Sequence, residues 1–191
     1  GRHMVMPLHA DIVVRCRKIG FDNLTPSLWY NISNANYEID RGAGFLGKPY
    51  EPNGIIKNDV EFILMLRKPG GYRQPTDDQR DASRLAKQEH HDWFQQIWTI
   101  PGESTKNHPA PFPFTLAYRL VRMFSFTGDT VLDPFAGTGT TLLACLRCER
   151  NAIGVEIDES YCKTARVRLS SEPQMLFPEQ QPFLVRRRAR P

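Results

Sequence analysis

A glycine turn between a short apolar run and a helical pattern constrains the fold of this chain more than any other feature. Segment 130–146 reads TVLDPFAGTGTTLLACL, and it is followed by NAIGVEID and then by ESYCKTARVRL. The order predicts a strand, a tight turn, a helix, a second strand and a second helix. Such a unit forms a right-handed crossover between parallel strands. The fold class expected is therefore α/β, with a mostly parallel sheet flanked by helices.

The turn itself excludes two common nucleotide sites. AGTGTT has no lysine before its threonines and lacks the four-residue gap between glycines, so it is not a phosphate-binding P-loop. Gly137 and Gly139 match the first pair of a GxGxxG dinucleotide motif, but Leu142 occupies the third glycine position. Hydrolysis of ATP or GTP is a poor interpretation, and a dinucleotide oxidoreductase is disfavoured.

Two acidic residues flank this turn in the sequence. Asp133 ends the first predicted strand, and Glu156 ends the second, some 23 residues later. In open α/β sheets, ligands bind at the carboxyl ends of strands, where an acidic side chain accepts the hydroxyls of a ribose. The pair favours an adenosine-type ligand that carries an amino group, although a strand-end cap is the alternative interpretation of Asp133.

Composition limits the remaining possibilities. With 191 residues and 40% hydrophobic content, one domain is expected. No apolar run reaches the roughly 18 residues of a membrane span, and the N-terminus does not have the pattern of a signal peptide. Four cysteines are too few for a disulfide framework and suit a reducing compartment. We therefore expect a soluble, cytoplasmic protein, and the net charge of +4 permits a nucleic-acid partner.

The first third of the chain predicts a helix, two strands and a long loop. Segment 7–19 has near-helical apolar spacing and ends at Gly20. The next segment, LTPSLWYNI, predicts a strand with Trp29 on the face opposite to its neighbours. Residues 33–58, rich in asparagine and glycine, are expected to be a long loop. The run DVEFILMLRK, residues 59–68, predicts a strand buried on both faces.

The middle of the chain predicts further helices and no metal site. A charged insert becomes helical from about Thr76, and its adjacent His90 and His91 point in different directions, which makes a shared metal improbable. The pair Cys145 and Cys148 lies within a helical apolar pattern and is interpreted as two buried small hydrophobes. Segment 114–124, which lies between these two, predicts a helix that ends at Gly128. Its apolar stripe comprises Phe114, Ala117, Leu120, Val121 and Phe124.

Three motifs together resemble a known family. DPFAGTGTT, followed by GVEID and preceded by NHPAPFP at 107–113, resembles the S-adenosylmethionine-dependent DNA amino-methyltransferases, in the motif order of their β class. The order and short spacing make the resemblance specific over about 98–169. It implies a Rossmann-like methyltransferase fold with an incomplete sheet. It also implies S-adenosylmethionine as cofactor, double-stranded DNA as partner, and a bacterial, archaeal or phage source.

The resemblance assigns roles to individual residues. Asp133 would bind the amino group of the cofactor's methionine part, and Glu156 would hold the ribose hydroxyls. HPAPFP would close over the methionine end, and as a proline-rich segment it also predicts a rigid entry to a helix. The implied cofactor-binding set is His108, Pro109, Phe112, Asp133, Phe135, Gly137, Gly139, Thr140, Glu156, Ile157 and Asp158.

The family's catalytic motif does not occur in the sequence. That motif is an acidic or polar residue followed by two prolines and an aromatic residue, and this chain has no Pro-Pro pair. In the β-class order the motif precedes everything found here. We therefore expect the chain to be a C-terminal portion that is inactive alone and needs a missing N-terminal catalytic segment or a partner subunit. The alternative is a non-catalytic remnant or subunit that binds S-adenosylmethionine or DNA.

The same framework divides the chain into functional ranges. Residues 1–32 would belong to the catalytic-domain sheet, 33–100 to target recognition, 101–170 to the cofactor-binding half and 171–191 to a tail. Arg186 to Arg190 in the tail predict a solvated, disordered end, with a DNA-gripping arm as the alternative. Candidate contacts to DNA are Arg41, Lys48, Lys57 and Arg73, and Tyr72 is a candidate for stacking on a displaced base. Whether adenine or cytosine is methylated is left open.

Overall fold

The computed structural model describes residues 6–31, 59–103, 111–172 and, for the backbone, 183–186. Its contacts divide the chain into two compact units. The first unit comprises 1–74 and 94–101, and the second comprises 75–93 and 102–191. None of the helices in the described ranges is both long and apolar enough to cross a bilayer.

The described residues of the first unit form one helix and two small sheets. Its elements are α1 (Leu8–Lys18), β1 (Asp22–Asn23), β2 (Ser27–Tyr30), β3 (Val60–Ile63), β4 (Leu66–Arg67) and β5 (Ile97–Thr99). Strands β1 and β4 pair antiparallel, and the second sheet has the order β3-β2-β5. The helix ends as predicted, because Gly20 follows it with a φ of 94°.

Two tryptophans form the centre of the first unit. Trp29 of β2 is paired in register with Trp98 of β5, and both side chains are buried. The indole nitrogen of Trp29 donates a hydrogen bond to the carbonyl of Ile100 at 2.7 Å, so its one polar group is satisfied. The predicted strand and the separate face of Trp29 are therefore confirmed.

The prediction of one strand buried on both faces over 59–68 is wrong. The run is divided into β3 and β4, which belong to different sheets. The break falls at Met65, whose carbonyl accepts a hydrogen bond from the amide of Leu24 at 2.9 Å. In β3 the side chain of Phe62 remains 46% exposed. An apolar run indicates that a segment can be buried. The pairing of its backbone with other strands decides which of its residues are buried.

The second unit contains the parallel sheet. Its elements are α2 (Asp77–Ala82), α3 (Lys87–Trp93), α4 (Phe114–Phe124), β6 (Thr130–Asp133), α5 (Thr140–Arg147), β7 (Asn151–Glu156), α6 (Glu159–Ser170) and β8 (Phe183–Arg186). The described strands have the order β6-β7-β8, and both pairings are parallel. The predicted α/β class and the predicted succession from strand to turn, helix, strand and helix are confirmed.

Helix α4 has the predicted bounds and a slightly different buried face. Ala117 and Val121 are buried as expected, and Leu116 is buried beside them although it lies off the predicted stripe. Phe124, which the stripe included, is 52% exposed. The helix ends at Ser125, which has extended backbone, so the prediction that Gly128 closes it is wrong. Gly128 instead serves the turn into β6, with a φ of 82°.

One buried arginine joins the ends of two helices at the start of β7. Arg150 donates hydrogen bonds to the carbonyl of Ser125 at 2.8 Å and to the hydroxyl of Thr127 at 3.3 Å. It also donates to the carbonyl of Cys148. Burial lowers the pKa of Arg150 from its ordinary value, and these acceptors offset the cost of removing the guanidinium from water.

The prediction of a disordered end over Arg186 to Arg190 is wrong at Arg186, which belongs to the ordered segment Phe183–Arg186. These residues form β8, which pairs in parallel with β7 from Ile153 to Glu156. The remaining tail arginines lie outside the described residues. Phe, Leu and Val have high strand propensity, and the unpaired edge of β7 supplies backbone partners that a local reading of the tail does not consider.

Candidate functional site

The glycine turn begins where β6 ends, at the carboxyl edge of the parallel sheet. Gly137 and Gly139 have φ values of 52° and 82°, a region that side chains other than glycine rarely adopt. The amide of Gly139 donates to the carbonyl of Ala136 at 2.8 Å, which closes the turn. The amide of Ala136 in turn donates to the carbonyl of Val155 at 2.9 Å. The backbone of the turn is thus fixed to the neighbouring strand.

Asp133 is the last residue of β6 and is paired in register with Gly154 of β7. Its Oδ1 accepts a hydrogen bond from the amide of Phe135 at 3.0 Å. This is the local turn that an aspartate commonly forms with the residue two positions later. This bond fixes the orientation of the carboxylate. The second oxygen, Oδ2, has no hydrogen bond to the described residues.

Glu156, the last residue of β7, reaches back to the glycine turn. Its Oε2 accepts the amide hydrogen of Gly137 at 2.8 Å, and its Oε1 accepts that of Asp158 at 2.8 Å. The sequence predicted its place beside the turn but not that it bonds to the turn. A carboxylate has about four acceptor positions, so each oxygen keeps capacity for another donor.

The residues after Glu156 combine an exposed apolar side chain with a helix cap. The side chain of Ile157 is 72% exposed. Asp158 is the N-cap of α6, and its Oδ1 accepts from the amides of Ser160 at 2.8 Å and Tyr161 at 3.3 Å. The hydroxyl of Ser160 also donates to Oδ1, and this bond, together with the backbone bonds from Ser160 and Tyr161, lowers the pKa of Asp158 from its ordinary value.

Other members of the expected cofactor-binding set have different surroundings. Phe135 follows the first strand and is 86% exposed. Thr140 begins α5, and its hydroxyl accepts a hydrogen bond from Arg168 of α6 at 3.3 Å. Phe112 packs against the core between α4 and α5. His108 and Pro109 lie outside the described residues.

Arg168 is a contributor to the turn that the sequence analysis missed. The guanidinium donates to the carbonyl and hydroxyl of Thr138, the residue between the two glycines, at 2.8 and 3.0 Å. In the sequence, Arg168 is one of several basic residues on a helix with little amphipathic pattern. No local signal distinguishes it from a solvated charge.

The cysteine and histidine pairs show no sign of metal chemistry. Cys145 and Cys148 are buried in the core beside α5, as predicted, and burial raises the pKa of their thiols to about 12 and about 11. His90 and His91 lie together on α3. Within the described ranges, no group of three or more His, Cys, Asp or Glu side chains could hold a metal ion.

The expected DNA contacts are described only in part. Arg73 lies on the surface of the first unit, whereas Arg41, Lys48 and Lys57 lie outside the described residues. Tyr72, the candidate for base stacking, is exposed, and its hydroxyl accepts a hydrogen bond from Arg67 at 2.6 Å. Arg67 also pairs with Asp22 at 2.9 Å. The aromatic ring is therefore accessible but already has a cationic neighbour.

The parallel sheet with acidic residues at two adjacent strand ends defines an α/β protein of Rossmann-like methyltransferase type. A family model described as DNA methylase, of the N6 and N4 kind, matches residues 16–167. The chain belongs to this DNA methylase family.

Curated relatives and solved structures agree with this membership. The type II methyltransferase M.MjaI of Methanocaldococcus jannaschii is 44% identical over 168 residues, which cover 84% of this chain and 53% of the relative. M.MthZI of Methanothermobacter thermautotrophicus is 37% identical, and the match covers 74% of this chain and 42% of the relative. This chain thus spans about half the length of the curated relatives it matches.

Crystal structures of a protein from Thermus thermophilus, described as a DNA modification methylase, share the fold. One superposes with a TM-score of 0.77 at 52% identity and covers 97% of this chain and 69% of the other. A second, complexed with S-adenosyl-L-methionine, gives a TM-score of 0.71 at 54% identity, with 88% of this chain and 61% of the other covered. The Rossmann-like fold expected from the motifs is confirmed.

Proposed function

We propose that this chain supplies the cofactor-binding and target-recognition part of a site-specific DNA methyltransferase. The enzyme transfers a methyl group from S-adenosylmethionine to an exocyclic amine of adenine or cytosine. The observation that carries the proposal is the placement of Asp133 and Glu156. They end neighbouring parallel strands on either side of a glycine turn in a member of the DNA methylase family.

The two carboxylates fit the polar parts of the cofactor. Asp133 is oriented through one oxygen by the amide of Phe135, which leaves the other to accept the amino group of the methionine part. Glu156 uses one position on each oxygen for backbone amides and retains positions for the two ribose hydroxyls. Gly137 has no side chain that would keep the ligand from the backbone, whereas the missing side chain of Gly139 makes room for Ala165 of α6.

The exposed apolar side chains fit the rest of the cofactor. Ile157 projects beside Glu156 and Asp158, where it would contact the adenine ring. Phe135 and Thr140 border the turn, and Phe112 packs against the core beside α4. The resemblance assigns the methionine end to Phe112 together with His108 and Pro109, which lie outside the described residues. When bound, S-adenosylmethionine supplies an electrophilic methyl group. The residues of this chain bind and orient it.

Catalysis requires a further segment, which we place beside β6. This strand is at the edge of the described sheet, and next to it lies an apolar groove of about 390 Å3 lined by Phe112, Leu120, Phe124 and Val131 among others. An unpaired strand edge next to apolar side chains favours pairing with another strand. Its occupant would be the N-terminal catalytic segment or a partner subunit that carries the Pro-Pro-aromatic motif.

We assign contact with DNA to residues 33–100, with 1–32 contributing to the catalytic-domain sheet and 101–170 to cofactor binding. Arg73 would bind the phosphate backbone together with Arg41, Lys48 and Lys57. An enzyme that methylates a base inside a duplex must first extrude it, so aromatic side chains near these cations would receive the base. Double-stranded DNA is therefore the proposed partner.

Calorimetric titration of the chain with S-adenosylmethionine tests the cofactor site. The variant Asp133→Asn retains an oxygen for the amide of Phe135 but loses the charge that attracts the cofactor's ammonium group. We expect the dissociation constant to rise roughly 10-fold or more, the usual cost of losing one charge-assisted hydrogen bond. The control Asp77→Asn removes an exposed carboxylate from the first turn of α2 and should bind as the unaltered chain does. Equal affinity for both variants would refute the assigned role of Asp133.

The alternative function is a non-catalytic subunit that binds S-adenosylmethionine or DNA. The observation in its favour is that the sequence contains no Pro-Pro-aromatic motif. The two candidates differ in one measurable property. A catalytic part gains methyl transfer when a polypeptide with that motif is supplied, whereas a non-catalytic subunit does not.

A further inference from the structure

We propose that Arg168 is a positioning residue that holds the glycine turn in the conformation that receives the cofactor. The inference rests on the proposed function, because it concerns the same site. It adds a residue of α6 that makes no assigned contact with the cofactor.

The guanidinium of Arg168 donates to three oxygens of the turn. Its Nη1 lies 2.8 Å from the carbonyl oxygen of Thr138, 3.0 Å from the hydroxyl of Thr138 and 3.3 Å from the hydroxyl of Thr140. The acceptors belong to residues 28 and 30 positions away in the sequence. All three are partly buried contacts, in which a charged donor forms stronger hydrogen bonds than a neutral one. The arginine thus ties α6 to the segment that links β6 with α5.

The bond to the Thr138 carbonyl matters because of the residues on either side. Gly137 and Gly139 both have positive φ, and glycine has more backbone conformations to lose on ordering than any other residue. Fixing the carbonyl of Thr138 fixes the peptide plane between Thr138 and Gly139. Together with the bond from Gly137 to Glu156, it holds the turn from two separate elements.

The packing of α6 leaves no room for the turn to shift toward it. A Cβ added to Gly139 would lie 2.9 Å from the Cβ of Ala165, which is fully buried one helical turn before Arg168. Ala165 and Arg168 therefore contact the turn from the same face of α6. Ala165 packs closely against Gly139, and Arg168 donates hydrogen bonds.

Charge distribution supports a specific role for the guanidinium. A cation beside the N-terminus of α5 is electrostatically unfavourable, because that end of a helix carries partial positive charge. Arg168 also lies in the last turn of α6, where a cation is favourable for its own helix, so its charge is unfavourable only toward α5. The three acceptor oxygens offset that cost, and they belong to Thr138 of the turn and to Thr140, the first residue of α5.

The test compares Arg168→Met with Arg166→Met in the 191-residue chain. Both variants remove one positive charge from α6, but Arg166 is exposed and has no hydrogen bond to the described part of the turn. We expect Arg168→Met to weaken binding of S-adenosylmethionine roughly 10-fold, the effect of losing hydrogen bonds to a charged donor. Arg166→Met should bind as the unaltered chain does. Arg168→Lys, which keeps a charged donor, should recover part of the loss.

Amide hydrogen exchange separates positioning from a general loss of stability. The amide of Gly139 closes the turn, whereas that of Asn151 donates to Asp129 at the far end of β7. In Arg168→Met we expect faster exchange at Gly139 with Asn151 unchanged, whether or not the cofactor is present. Equal acceleration at both amides would show a merely structural role and overturn the proposal.

Equal cofactor affinity for Arg168→Met and the unaltered chain would also overturn the proposal. If the unaltered chain itself does not bind S-adenosylmethionine, the proposed function fails, and the exchange rate at Gly139 decides whether Arg168 holds the turn. If Arg168→Met does not fold, the same two measurements on Arg168→Lys and Thr138→Val replace it. Each of these variants should bind S-adenosylmethionine more weakly than the unaltered chain and exchange the Gly139 amide faster. Both effects should be smaller than those expected for Arg168→Met.

Discussion

At the scale of single residues, the site depends on carboxylates that accept hydrogen bonds from the protein backbone and keep further acceptor positions for a ligand. Glu156 fixes two backbone amides and retains acceptor positions on both oxygens. Asp133 is oriented by one amide through one oxygen. Because these bonds form within the chain, the carboxylates are already placed when a ligand arrives, and less ordering is needed on binding.

Gly139 combines positive φ with close packing against α6. Gly139→Ala would place a methyl group in left-handed backbone and 2.9 Å from the Cβ of Ala165. Left-handed backbone costs about 1–2 kcal/mol and overpacking adds about 1–3 kcal/mol, so we expect unfolding free energy to fall by about 2–5 kcal/mol. Urea unfolding monitored by circular dichroism measures this change in unfolding free energy.

Gly71→Ala is the matched control for this substitution. A Cβ there meets no atom within 4 Å, and its φ lies outside the left-handed region. We expect a change within about 0.5 kcal/mol. Similar unfolding curves for the two variants would contradict the strained conformation assigned to Gly139.

At the scale of elements, α4 packs against α5, and α5 packs on the parallel sheet, through small and medium apolar residues. Leu116, Ala117 and Val121 supply the buried face of α4, and Leu142 and Cys145 supply that of α5. This core lies under the glycine turn, so the turn is supported by a rigid layer. The exposed part of α4 borders the groove beside β6.

Leu116→Ala tests the buried face that the helical stripe did not predict. Because Leu116 is buried, its truncation should lower the unfolding free energy by about 2–5 kcal/mol, as core leucine substitutions do. Phe124→Ala in the same helix removes a larger side chain that is half exposed, and we expect a loss of about 1 kcal/mol or less. Denaturant titrations of the two variants decide the order, and a larger effect at Phe124 would show that the groove is covered in solution.

At the scale of the whole molecule, the proposed function assigns one part of the chain to cofactor binding and another to DNA recognition, and the chain spans about half the length of its curated relatives. This division separates binding from catalysis. We assign Asp133 and Glu156 to the polar parts of the cofactor, whereas this sequence contains no Pro-Pro-aromatic motif to receive the target amine.

Transfer of a radiolabelled methyl group to duplex DNA tests this division. We expect the 191-residue chain to bind S-adenosylmethionine and to transfer no label, because nothing positions the amine against the methyl group. Full-length M.MjaI, assayed in parallel on its own target DNA, serves as the positive control. Label incorporated by the chain alone, above the background of an Asp133→Asn variant, would contradict the proposed need for a further segment.

Local patterns in the sequence determined the order of elements from α4 to α6, the bounds of α4 and the place of the glycine turn between Asp133 and Glu156. These features follow from periodicity and from backbone conformations that only glycine readily adopts, and both are properties of adjacent residues. Tertiary structure decided the features that depend on distant partners. It split the apolar run at 59–68 between two sheets, because the pairing with Leu24 draws Met65 away from β3.

The same reason explains β8 and Arg168. Residues 183–186 resembled a tail until the edge of β7 offered them hydrogen bonds, and Arg168 resembled a surface charge until α6 packed against the turn. Neither partner is adjacent in the chain, so no window of sequence contains the interaction. The sequence by itself therefore determined the motifs of the site. The tertiary structure decided which side chains hold them in place, because hydrogen bonds and packing join residues that folding brings together.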